Sequence, residues 1–350
     1  MTQMLTDMAL LYDRLSHLGF SKAFLRQYAL PDWWDEQFEE TPGAVVEAAA
    51  YISRRFNLDL HSLLQFDKTP EFKQSCQTKF KTKQGTQHKQ LQVAQCMAER
   101  IAKMVVYACI PTFKSLPDSA QQVRSEILNA TPTNGERAEK FVSLNGLLNW
   151  CWQAGIPVVH FDRFPKAKGI HKFQGMVASF YDRPVIILSL NTQFTAQLLF
   201  ILAHELGHLV RGHLKDTSIV DEVVEPGNLD DEEIEANEFA VELLLGKPDM
   251  AYYTPRYLSG DELAEFACRV SVRDRVDPGV VVLNYAWNKV NMVSIQSNQQ
   301  TTWATATKAL KIIERGMPVK KEVNNLLARK LDWEKLDEDS QDYLSLVTEG

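Results

Sequence analysis

The sequence predicts an α+β protein: a helical N-terminal domain, a small sheet packed on a metal-binding helix, and trailing helices. Three observations lead there. Residues 1–66 read as helix, punctuated by Gly19, Pro31 and Thr41-Pro42-Gly43. Strand-like runs then crowd into one stretch, at 156–161, 173–180 and 184–190. Directly after them comes FILAHELGHLVRGH, Phe200 to His213, an apolar helix carrying two histidines four residues apart.

Composition bounds the reading. With 350 residues, 45% hydrophobic and 24% charged, the chain can bury two or three cores and is neither disordered nor fibrous. A net charge of −7 provides no global attraction to nucleic acid or anionic membrane. Cys76, Cys96, Cys109, Cys151 and Cys268 are an odd count without a close pair, which disfavours a disulfide framework and reads as buried thiols in a reducing compartment. MTQMLTDMALLYDRL lacks a basic leader and a cleavage site, and no apolar run approaches the roughly 18 residues of a bilayer span. The expectation is a soluble, cytoplasmic protein with no membrane partner.

Taken in order, VVEAAAYISRRFNLDLHSLL gives a helix ending near Phe56 and a short one starting at Asp59. That cadence resembles lambda-repressor-like helix-turn-helix domains. The stretch that would enter a DNA groove, PDWWDEQFEE, carries Asp32, Asp35, Glu36, Glu39 and Glu40 and no base, so a phosphate backbone would repel it. Residues 1–66 are therefore expected to be a degenerate helix-turn-helix-like domain that binds protein. Residues 67–136 read as a basic linker and a helix around 97–110, with Lys73, Lys79, Lys81, Lys83 and Lys89 and no acid from Phe72 to Ala98. A solvated linker explains that run; single-stranded nucleic acid acting as an activator is the functional alternative. Phe72 and Phe80 could stack bases or tuck into a neighbouring domain. Residues 137–250 form the expected metal-binding core: a helix to Ala154 ended by Gly155, the strand runs with a turn at Tyr181-Asp182-Arg183, and then the histidine helix, with Asn191 or Thr192 as its N-cap. Trailing helices occupy 251–316, and 317–350 is an acidic C-terminal segment.

In HELGH, His204 and His208 stack on one helix face, one turn apart, where a single ion can take both. Zn2+ suits two imidazoles plus a carboxylate, with a fourth position for water. Glu205 lies beside that face as a general base. Burying these groups without a metal would be costly. His213 does not fit as the third ligand, because an extended HExxHxxGxxH site needs Gly at 211 and His at 214, and those positions are Arg211 and Leu214. DEEIEANEFAVELLL, a second amphipathic helix, offers Glu233 25 residues after His208. Glu233, Ala236, Asn237 and Ala240 share a face, with small residues for close helix contact and an amide to accept from the outer N–H of a ligating histidine. Glu232 and Glu235 compete for the ligand role from other directions.

An HExxH followed by a glutamate on a downstream helix is the order of gluzincin-type metallopeptidases. GLLNWCWQAGIPVVHF, KFQGMVASFYDRPVIILSLNTQFTAQLLFILAHELGHLVRGH, EIEANEFAVELLL and LAEFACRVSVRDRVDPGVVVLNYAWNK together resemble the ImmA/IrrE family of metallo-endopeptidases, over roughly residues 140–312. Asn237 stands where other gluzincins often have aspartate. The resemblance implies a zinc-dependent, site-specific cleavage of a transcriptional repressor or antitoxin that switches on a stress, mobile-element or defence operon.

The residues themselves suggest metal-assisted amide hydrolysis on His204, His208 and Glu233, with Glu205 moving the proton. The strand from Gln174 through Gly175, Met176, Val177 and Ala178 to Phe180 is expected to be an edge onto which the substrate adds as a further strand, Gly175 permitting close approach. Tyr181, His213 and His160 are candidates for the oxyanion or the cleft, though His160 reads better as a partly exposed strand-end residue. The competing expectation is a helix-turn-helix regulator with a non-hydrolytic zinc site.

Overall fold

The structure is a computed structural model that describes residues 4–73, 77–81, 88–130, 140–214, 217–222, 230–292, 296–314 and 319–349. The N-terminal unit comprises α1 (Met8–Ser16), α2 (Lys22–Tyr28), α3 (Glu36–Glu39), α4 (Ala44–Phe56) and α5 (Leu60–Leu64). Asp7, Ser21, Asp35 and Asp59 cap four of them by accepting from backbone amides. Asn57, at φ 60°, takes the left-handed conformation that ends α4. The acidic stretch expected at a DNA groove holds only the one-turn α3. Its Glu39 is turned inward, pairing with Arg26 and Lys22 and accepting from the Tyr12 hydroxyl.

Next come β1 (Gln77–Lys81), α6 (His88–Ala108), α7 (Ala120–Asn129), α8 (Leu144–Gln153), β2 (Val158–His160), β3 (Gly175–Phe180), β4 (Arg183–Leu188) and α9 (Thr195–Val210). β5 (Thr217–Asp221) and α10 (Asp231–Leu245) complete the central region. α11 (Gly260–Asp274), α12 (Pro278–Met292), α13 (Gln296–Ile313), α14 (Val319–Lys330) and α15 (Glu338–Thr348) follow.

The sheet runs β1-β5-β3-β4-β2. β3 pairs antiparallel with both β4 and β5, while β1 lies parallel to β5 and β2 parallel to β4. Tyr181 and Asp182, at φ 52° and 57°, make a two-residue hairpin between β3 and β4, the turn whose twist matches the strands.

Side chains alternate across β3, so the sheet divides two cores. Met176, Ala178 and Phe180 face α6 and the N-terminal helices, in a cluster that also takes Tyr343 and Leu344 of α15. Val177, Ile186 and Ile219 face α9, α8 and the trailing helices. The 67–136 stretch is thus more than a linker, since α6 supplies the cover for one sheet face. The C-terminal segment contributes α14 and α15, and buried Arg55 of α4 donates from Nε and Nη2 to Asp339 of α15 at 3.0 and 2.7 Å.

Of the five lysines in the stretch read as a solvated linker or, alternatively, a nucleic-acid contact, Lys73 is described and exposed. Lys83 and the side chains of Lys79, Lys81 and Lys89 lie outside the described residues. Phe72 packs against the N-terminal core, and the Phe80 side chain is outside the description. Cys96, Cys109 and Cys151 are buried as expected, whereas Cys268 is exposed, and Cys76 lies outside the described residues. Among the described residues, no helix is long and apolar enough to cross a membrane.

Candidate metal centre

The site forms where α9 crosses α10. Gly207 permits the close approach: a Cβ there would meet the Ala236 carbonyl oxygen at 3.0 Å and Phe239 Cβ at 3.2 Å. This contact brings Glu233 over the two histidines. Asp230 caps α10 by accepting from the Glu233 amide at 3.1 Å, which fixes the first turn from which Glu233 projects.

His204 and His208 direct their Nε2 atoms at one point, 3.1 Å apart. Glu233 brings Oε2 to 3.4 Å from His204 and Oε1 to 3.1 Å from His208. A fourth group, absent from the sequence-based set, joins them: Asp221 at the end of β5, with Oδ2 3.5 Å from both imidazoles. Ligand atoms of all four lie within 4.8 Å of one another, and every one of the residues is buried. Four N/O donors around one tetrahedral ion, with bonds near 2.0 Å, are separated by about 3.3 Å along each edge. The five spacings that involve a histidine nitrogen, 3.1 to 3.5 Å, match such an edge, with Glu233 turning a different oxygen to each imidazole. The donor chemistry, two imidazoles with two carboxylates, suits Zn2+.

The electrostatics point the same way. Burial would lower the His204 pKa, but contacts with the Asp221 and Glu233 carboxylates override it and raise it to about 9. Burial pushes the Glu233 carboxyl up, and its contacts with His204 and His208 outweigh that and hold it below the usual range. Two carboxylates fully withdrawn from water require positive charge beside them, which a divalent cation would supply. Glu205 is different. Burial, with the charges of Asp221 and Glu233 adding to it, lifts its carboxyl well above the ordinary value. Its carboxyl lies against that of Asp221, close enough to hydrogen-bond to it when protonated.

Glu205 occupies space left by Gly175. A Cβ at Gly175 would sit 1.8 Å from Glu205 Oε1, so the glycine serves the carboxylate of α9 directly. Gly175 is also not on an edge. β5 covers Gly175, Met176 and Val177, and the Gln174 amide donates to the Asp221 carbonyl at 2.8 Å, so the expected edge from Gln174 to Ala178 is an interior strand. Sequence alternation marks β3 as a strand but cannot show what pairs with it.

The outer nitrogens of both histidines are held. Asn237 Oδ1 lies 3.1 Å from His204 Nδ1 and accepts its N–H, leaving Nε2 with a lone pair toward the site. His208 Nδ1 lies 2.9 Å from His213 Nδ1, and His213 Nε2 lies 3.0 Å from Glu235 Oε2. With His208 Nε2 facing the site as an acceptor, Nδ1–H donates to His213, whose Nε2–H then donates to Glu235. A Schellman motif creates this relay: Gly212, at φ 71°, follows the helix, and the His213 amide donates to the His208 carbonyl at 3.0 Å. Glu235 therefore supports His213 and does not reach the four-donor cluster.

The other candidates lie elsewhere. Tyr181 is 73% exposed in the hairpin turn at the far end of β3, about 20 Å along the chain from Gly175. That distance removes it from oxyanion duty. His160 is buried rather than partly exposed; it bonds through Nε2 to the Leu190 carbonyl and through its backbone to Asn324 of α14. Asp221 is the residue that sequence reasoning missed. Its one signal was the short alternation Ser218-Ile219-Val220-Asp221, which reads as a strand with a carboxylate on the same face as an apolar residue.

A small mixed sheet against an HExxH helix, with a carboxylate supplied by a second helix, defines a zincin-like metal-binding domain. Residues 152–277 match the profile of a peptidase family described as the IrrE N-terminal-like domain. The match takes in all four donors and Glu205. No curated protein and no solved structure matches the chain.

Proposed function

We propose that the chain is a zinc-dependent, site-specific endopeptidase. One observation carries this reading: a buried Glu205 is set beside the four-donor cluster by a glycine that leaves room for its carboxylate. A structural zinc site has no use for such a group, and burying one costs several kcal/mol, roughly, unless function retains it.

His204, His208 and Glu233 would hold the ion, with Asn237 and His213 fixing the imidazole orientations. Zn2+ bound there would polarise the scissile carbonyl and acidify the attacking water. Glu205 takes the proton from that water and returns it to the leaving amine, a role suited to a carboxyl that burial holds well above its ordinary pKa. Beside Gln174, a recess of about 260 Å³ is lined by Leu190, Phe200, Ile201, Trp287 and Trp303. Lying one helical turn before His204, it would receive an apolar side chain next to the scissile bond.

The target, by the resemblance to ImmA/IrrE enzymes, is a transcriptional repressor or antitoxin controlling a stress, mobile-element or defence operon. The N-terminal helical unit would recruit it. Activation by single-stranded nucleic acid through the Lys73–Lys89 stretch belongs to the same proposal, and a response to oligonucleotide that stays flat at low salt would remove it.

The deciding experiment incubates wild type and Glu205→Gln with the repressor encoded beside this gene. Cleavage by the wild type and a loss of at least about 100-fold in the variant, with zinc still bound, are expected. An intact repressor under every condition would sink the assignment. A second reading, a regulator with a non-hydrolytic zinc site, is favoured by Asp221, which fills the corner where water should bind.

A further inference from the structure

Asp221 poses a conflict. Sites that hydrolyse peptides keep one position of the ion open, whereas closed four-ligand sites are structural. Here the fourth corner is taken by a fully buried carboxylate, yet Glu205 stands ready beside it. β5 resolves the conflict. It lies antiparallel on β3, in register with Gly175 to Val177, where an extended peptide would have to add to cross the histidine helix. Its Asp221 pairs with Gly175 and projects into the donor cluster. β5 thus has the placement of a substrate strand, but it belongs to the chain itself.

The connection that carries it is long. α9 ends at Val210 and α10 begins at Asp231, though the two helices pack directly together. β1 then clamps β5 from its outer side as a parallel partner, running from Gln77–Thr217 to Lys81–Asp221.

We propose that β5 is a built-in strand-shaped inhibitor and that Asp221 is a displaceable fourth ligand of the metal. Withdrawal of β5 opens both the coordination position and the β3 edge in one motion. This inference rests on the peptidase reading above, and the experiment separates the two.

The test uses full-length protein loaded with Co2+, comparing wild type, Asp221→Ala and the near-isosteric Asp221→Asn, with azide as the probe of an open coordination position. Wild type is expected to show a visible spectrum unmoved by azide. Both variants should hold cobalt more weakly in chelator competition, by roughly tenfold or more, and show an azide-dependent spectral change. They should also cleave an unstructured polypeptide that wild type leaves intact. Unchanged affinity and spectrum in a folded Asp221→Asn protein would overturn the proposal, because Asp221 would then not be a ligand. Weaker binding with no azide response would overturn it in favour of a purely structural role. An azide response already present in wild type would overturn it as well. Azide-accessible cobalt in the variants without peptide cleavage would uphold the closure and defeat the peptidase reading instead.

Discussion

His213 shows how much one residue outside the motif can matter. It is separated from the ion position by His208, and it sets that ring's tautomer by accepting from Nδ1 and passing its own proton to Glu235. His213→Ala should therefore weaken zinc binding by about 10–100-fold without altering the ligand set. Chelator competition measures this, and an affinity equal to wild type would mean that solvent replaces the ring at no cost. Trp303 tests the recess beside Gln174. Trp303→Ala should broaden the preference for the neighbouring substrate side chain and raise KM, with kcat little changed. An unaltered profile across a peptide library would place the substrate elsewhere.

At the scale of elements, the histidine helix begins without a side-chain cap of its own. Phe194 is its N-cap residue, and the expected Asn191 or Thr192 does not fill that role. Thr192 Oγ1 accepts from the Phe194 amide one step too early. Glu314, just past α13, accepts instead from the amides of Thr195 and Ala196 at 2.5 and 3.1 Å. This long-range cap ties the trailing helices to the metal-binding helix. Burial, followed by the charge of Asp277, raises the Glu314 pKa to about 7 against the lowering effect of the helix amides. A carboxyl whose pKa is higher in the folded state binds protons more tightly there. Its stability contribution is full below its unfolded pKa, near 4.5, and is lost as pH rises through 7. Wild type should thus lose about 2–3 kcal/mol relative to Glu314→Gln between about pH 5 and pH 8. Urea denaturation of both proteins across that range checks it; parallel curves would reject the argument.

For the whole molecule, the sheet is a partition between two cores, and the chain crosses it repeatedly. The last helix returns to the first domain, where Asp339 neutralises the buried Arg55, whose Nη1 also donates to the Leu30 carbonyl. Removing the acid leaves a guanidinium buried without its counterion. Asp339→Ala should cost about 3 kcal/mol of stability, read as a lower urea midpoint. A change under roughly 0.5 kcal/mol would show that solvent reaches Arg55 and that the C-terminal helix does not brace the N-terminal unit.

Local periodicity made part of the site legible before any coordinates. The four-residue spacing of His204 and His208, the placing of Glu205 next to them, and the shared face of Glu233 and Asn237 all follow from 3.6 residues per turn, because a helix fixes its own neighbours. The β3–β4 hairpin was legible for a similar reason, as two alternating runs around a tight turn. Groups that arrive from a distance became visible in the folded chain alone. The register of β5 on β3 places Asp221 at the metal, the Schellman turn folds His213 back onto His208, and Glu314 reaches across from a trailing helix to cap α9. Strand pairing and long-range capping are chosen by the energy of the assembled cores, and residues far apart in the chain carry no periodic mark of that choice.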